Sequence, residues 1–231
     1  MSSWQPTTST IMTLSGTNAL PPSDAWLIDS LHAQEYITHS GLLGSGSSSA
    51  SFEMPSGFAD HFVAVVRAQL GTKTSCIRER VPVASALTID TATLLTPPSS
   101  VAISIPEAGR PRATWSIPAS VISVTSGAML SARWQTTNTT WNWTAVFPPN
   151  TTVQAPPLPV ARSEFAVPIS APFARGSLNF IATNVATSYA ELILNAYELI
   201  DDTAPNPCYP LYLGRFYPQG DFVERLAIST F

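Results

Sequence analysis

The sequence predicts an all-β protein whose main domain is one antiparallel sandwich. Short runs rich in β-branched and aromatic residues follow one another from residue 58 onward, bounded by Pro, Gly and Ser clusters. The chain holds 21 prolines in 231 residues, well above the ~5% of an average protein. Such frequent interruption disfavours long helices and suits short strands joined by loops. No helical pattern of ~10–15 residues separates the runs, which argues against a parallel βαβ fold.

Residues 1–57 are set apart by composition. They are rich in Ser, Thr and Gly, and 41–51 (GLLGSGSSSAS) has the make-up of a flexible linker. One helix is expected inside this arm. Ser23 or Asp24 would cap it, with Trp26, Leu27, Leu31 and Gln34 on one face. The expected division is a flexible arm over 1–57, a β domain over 58–202 and an extended tail over 203–231.

Within the domain, HFVAVVRAQL (61–70), VASALTID (83–90), VAISI (101–105) and ATWSI (113–117) read as strands. SVISV (120–124), MLSARWQT (129–136), WNWTAVF (141–147) and EFAVPIS (164–170) read the same way. In 177–183, Leu178, Phe180 and Ala182 alternate with Asn179 and Thr183, the period of a strand. The run 189–200 fits either a strand or a helix face. Its β surroundings favour an antiparallel return strand, closed by the short link TNVATS.

The tail carries Tyr209, Tyr212, Phe216, Tyr217 and Phe222, spaced by Pro205, Pro207, Pro210 and Pro218. Proline cannot donate to a sheet ladder, so this segment is expected outside any sheet centre. Rings in such number are costly to leave in water. These five tail aromatics, together with Trp26, are therefore candidate subunit-interface residues.

Only 11% of the residues are charged, against about 25% in an ordinary soluble domain. A large surface so poor in charge is expected to be covered by other protein. The densest positive group is Arg67, Lys73, Arg78 and Arg80. These are the candidate nucleic-acid-facing residues, a weak and non-specific set, since Glu79 sits among them and no aromatics are interleaved. Before Arg67 the chain has only acidic charges, at Asp24, Asp29, Glu35, Glu53 and Asp60, so the arm is no basic nucleic-acid tail.

Motifs for chemistry are sparse. The three histidines are His32, His39 and His61, and no HExxH, phosphate-binding glycine loop or GxSxG occurs. Asp60 beside His61 could make a base with its orienting carboxylate, but a solvated strand start is the simpler reading. No catalytic residue, metal site or cofactor is expected. Asn138, Asn142 and Asn150 begin N-x-T triplets, read here as strand and turn residues. Cys76 and Cys208 are too far apart in sequence to form a metal or redox motif, and each reads as a buried thiol. No stretch of 18 apolar residues is present to span a membrane. The first sixteen residues lack the charge and apolar pattern of a secretory leader.

Two stretches carry a family resemblance. AMLSARWQTTNTTWNWTAVFPPNTTVQAPPLP (128–159) and LNFIATNVATSYAELILNAYEL (178–199) resemble segments of tymovirus-like coat proteins. The first resembles their strand, Pro/Thr-rich turn and aromatic strand, and the second their paired final strands. The arm and the tail are longer than in that family. The resemblance implies an eight-stranded antiparallel jelly roll and a coat protein of a small icosahedral positive-strand RNA virus. It further implies a homo-oligomeric shell assembled in the host cytoplasm, with genome charge balanced largely by small cations. A reading of a different class is a carbohydrate-binding sandwich or adhesin domain. Trp141 and Trp143 would share one strand face, and with Trp134 they could form a stacking platform.

Overall fold

The structure is a computed structural model. It describes residues 7–16, 22–31, 34–42, 48–55, 59–107, 109–156, 162, 165–186, 188–193 and 223–231. The chain is all-β in character, with sandwich-like sheets. The strands are β1 (Thr7–Ser15), β2 (Pro22–Leu31), β3 (Gln34–Leu42), β4 (Ser49–Pro55), β5 (His61–Leu70), β6 (Lys73–Pro82) and β7 (Ala86–Asp90). After them come β8 (Ser99–Glu107), β9 (Arg110–Ser116), a short helix α1 (Ala119–Val124), β10 (Gly127–Gln135), β11 (Thr140–Phe147), β12 (Thr152–Gln154), β13 (Phe173–Thr183) and β14 (Val223–Thr230).

One 8-stranded sheet, in the order β11-β10-β13-β14-β6-β5-β2-β3, runs beneath two 3-stranded sheets, β4-β1-β7 and β12-β9-β8. A jelly roll would place its eight strands in two facing sheets. Here a single long sheet serves both small ones, and β1 pairs with β7 in parallel.

Each small sheet closes its own core on the inner face of the long one. Met12, Phe52, Leu87 and Ile89 meet Phe62, Ala64, Val66 and Ile77 in the first core. Ala113 and Trp115 meet Ala128, Leu130, Phe147, Leu178 and Phe180 in the second. The edge-to-face pair Trp115–Phe180 stands at a ring separation of 6.1 Å in that second core. A third cluster lies on the outer face, where Leu192 and Ala186 cover Cys76, Ile181, Leu226 and Ile228.

Several expectations are corrected. The helix expected in the arm is the strand β2, and the arm supplies β1, β2, β3 and β4 to the sheets. The capping residues bond across strands instead: Ser23 Oγ donates to the Arg67 carbonyl at 3.1 Å, and the Asp24 carboxylate receives Arg67 Nε at 2.7 Å. Residues 120–124 are helical because burial falls on Val121 and Thr125, one helical turn apart, while Ser120, Ser123 and Val124 stay exposed. Residues 164–170 contribute no strand among the described residues.

The return strand expected at 189–200 begins as a helical turn, 189–193. Ser188 Oγ accepts the Glu191 amide at 3.3 Å, and the Leu192 amide donates to the Ser188 carbonyl at 2.9 Å. The strand that closes β13 is β14, from the end of the chain. The tail therefore enters the centre of a sheet, through the proline-free stretch VERLAIST. Cys76 is disulfide-bonded rather than a buried thiol. The other cysteine, Cys208, lies outside the described residues.

Candidate functional site

The candidate nucleic-acid group falls on the strands β5 and β6, where pairing puts Val65 opposite Arg78 and Val63 opposite Arg80. On its other side β6 places Arg78 opposite Glu224 of β14. The outer face of these strands thus gathers charges from distant parts of the chain, with Arg78, Arg80 and Glu224 buried among them. Arg78 is only 1% exposed, and its Nη1 stands 3.6 Å from Glu224 Oε2, an ion pair rather than a hydrogen bond. Arg80 is buried too. Its Nη2 lies 3.1 Å from His61 Nδ1 and 3.8 Å from Asp60 Oδ1.

Burial raises the pKa of the Glu224 carboxyl, and the neighbouring Arg78 guanidinium only partly offsets this. Asp60 Oδ1 lies 3.2 Å from His61 Nδ1. The same ring nitrogen thus faces both the Arg80 guanidinium and the Asp60 carboxylate, so Asp60, His61 and Arg80 form one charge network at the start of β5.

Arg67 is held by Asp24 through two of its nitrogens. Lys73 opens β6 and is half-buried. Among the candidate cations, Arg67, Arg78 and Arg80 thus have acidic partners, and Arg78 and Arg80 do not face solvent.

A second charged group lies on the inner face, at the seam between the two cores. Burial raises the pKa of Glu79, Arg225 pulls it down and Asp90 pushes it up. Sequence reading singled out Arg78, Arg80, Asp60 and His61 but missed Glu224, Glu79 and Arg225, because strand pairing alone brings β6 against β14.

The three tryptophans of the expected stacking platform turn to the inner face of the long sheet. Trp134 is 2% exposed and meets Phe173 edge-on at 5.8 Å. Trp141 and Trp143 do share a face, but it is the inner one, and both are half-buried against the cluster of Trp134, Val167 and Ala171. Of the candidate interface residues, Trp26 lies on β2 opposite Val65 and Ser40. Tyr209, Tyr212, Phe216, Tyr217 and Phe222 lie outside the described residues. Among the described residues no group of three or more His, Cys, Asp or Glu could hold a metal. No described helix is long and apolar enough to cross a membrane. Comparison with protein-family models and with curated proteins finds no match for the chain.

Proposed function

We propose that the chain is a self-assembling shell subunit, a viral coat protein that builds an icosahedral virion around its genome. The observation that carries this reading is where the few charges go. The chain has 11 basic and 15 acidic residues, and Arg78, Arg80 and Glu224 among them are buried. The outer surface is left still poorer in charge. It also displays apolar side chains on several separate elements, including Leu70, Val124, Phe165, Ile169 and Val185. A surface of that kind fits a subunit with neighbours on several sides. In this reading the fold is a variant of the jelly-roll coat architecture, a view supported by the resemblance of residues 128–159, while the second stretch supplies β13 and a helical turn at 189–193 in place of the start of a paired strand.

The packaged nucleic acid is held weakly in this proposal. A net charge of −4 cannot neutralise a genome. With Arg67, Arg78 and Arg80 engaged by acidic partners, small cations are left to balance the phosphates.

Light scattering after size exclusion, with electron microscopy of the peak, tests the reading. Megadalton spherical particles are expected, including particles free of nucleic acid. A chain that stays monomeric at all concentrations overturns it.

A further inference from the structure

We propose that β11 is a docking edge for a second copy of this chain, pairing antiparallel with the β11 of that copy about a two-fold axis at Asn142. β11 ends the 8-stranded sheet and pairs only with β10 among the described residues. Which of its backbone groups point outward follows from the hairpin. The Thr136 amide donates to the Thr139 carbonyl at 2.8 Å. Antiparallel ladders alternate bonded and open pairs, so the next pair, Gln135–Thr140, is open and Trp134–Trp141 is bonded.

Two other contacts agree. The Gln135 amide turns the other way and donates to the Pro172 carbonyl at 3.1 Å. The Val146 carbonyl, which this alternation aims outward, is taken by the Tyr189 hydroxyl at 2.9 Å. The outward N–H and C=O groups of Thr140, Asn142 and Thr144 have no partner among the described residues.

Proteins commonly protect sheet edges with charge, proline, irregularity or shortness. β3 carries Glu35, β4 carries Glu53 and Pro55, and β8 carries Pro106, Glu107 and register shifts. β7 has 5 residues and β12 has 3. Among the described edge strands, TWNWTAVF alone is long, regular, uncharged and free of proline.

An identical strand is the occupant that fits. With Asn142 opposite the partner's Asn142, Thr140 meets the partner's Thr144, and every free outward position is used. A shift by two toward Phe147 would require the Val146 carbonyl that Tyr189 already holds. A shift the other way brings in the turn residue Asn138. In the centred register Trp141 faces the partner's Trp143 as an open pair, the closer of the two kinds. Both rings lie on the inner face, so the second core would continue across the axis. The pairing stands independently of whether shells form.

The test is cysteine cross-linking in the full chain under mild oxidation. Paired strands at a bonded site bring the Cα atoms to about 5.5 Å, within disulfide reach. Asn142→Cys is expected to give a covalent dimer absent from the unmodified chain. Thr140→Cys alone should give none, while Thr140→Cys with Thr144→Cys should cross-link. Asn142→Pro removes only an outward N–H and should abolish association, with the circular dichroism spectrum kept. If that variant unfolds, the cross-linking series still decides.

Absence of the Asn142→Cys dimer, or equal dimer from Thr140→Cys alone, overturns the proposal. So does an edge filled by a strand of another protein, which yields no cross-linked homodimer. Particles without the cross-link overturn the edge pairing and leave the shell reading standing. Cross-linked dimers without particles do the reverse.

Discussion

Leu94 and Leu95 are neighbours in the chain and belong to different cores. Leu94 packs with Met12, Leu87 and Ile89 under the first small sheet, and Leu95 with Trp115, Leu130 and Phe180 under the second. The chain crosses between the two units at this bond. The crossing is pinned at both sides: the Asp90 carboxylate accepts the Ala92 amide at 3.0 Å, and Ser75 Oγ donates to the Leu95 carbonyl at 2.8 Å. Leu94→Ala and Leu95→Ala should each cost about 2–5 kcal/mol. Because one long sheet lies beneath both cores, each variant should still unfold in a single transition. Two resolved transitions in urea would show that the cores are independent.

Gly176 and Phe231 hold the end of the chain in place. Their backbones exchange two hydrogen bonds, at 2.8 and 3.0 Å. The Phe231 ring lies so close over Gly176 that an added Cβ would stand 2.6 Å from it. That ring is stacked on Phe173 at 5.7 Å. Gly176→Val should therefore expel the ring and destabilise by about 1–3 kcal/mol, the usual cost of overpacking. Removing the ring first should absorb most of that loss. A double-mutant cycle with Phe231→Ala that gives strict additivity would contradict the contact.

The Arg78–Glu224 pair sets a pH dependence whose sign is fixed by burial. The Glu224 carboxyl has its pKa raised in the fold, so the folded chain holds its proton more tightly than the unfolded chain. Stability from this group then falls as pH rises from the ordinary carboxylate value through the raised one. Glu79 shifts in the same direction. Glu224→Gln should flatten this slope in denaturation curves taken across that range. An unchanged slope would mean that the carboxyl titrates as in the unfolded chain. Glu224→Ala should cost more, about 3–5 kcal/mol, since it leaves the Arg78 charge buried.

The strand β5 was legible because HFVAVVRAQL is apolar on both faces, as a central strand must be. The strand β6 was not. KTSCIRERVP reads as a solvated connection, and its arginines are buried only because Glu224, Asp60 and His61 meet them from elsewhere in the chain. The prolines of the tail concealed VERLAIST, where Leu226 and Ala227 are buried on opposite faces of β14. The shared face of Trp141 and Trp143 was readable from spacing alone. Which side of the sheet it would be was not, since that depends on β12-β9-β8 lying above it.

The helical turn at 189–193 had a local signature, the Ser188–x–x–Glu191 pattern of a capping box. Its apolar contact is tight, since a Cβ on Gly127 would collide with Leu192 Cδ2. The same turn delivers the Tyr189 hydroxyl to the Val146 carbonyl at the edge of the long sheet. Three substitutions should therefore separate its roles. Ser188→Ala removes the cap and should cost about 0.5–2 kcal/mol. Gly127→Ala should displace Leu192 and loosen the turn. Tyr189→Phe should leave the fold intact and free the Val146 carbonyl. Amide exchange would read all three, with faster exchange at Glu191 and Leu192 expected in the first two variants and not in the third. If Ser188→Ala and Gly127→Ala leave those amides as protected as before, the turn is held by neither its cap nor its packing on Gly127.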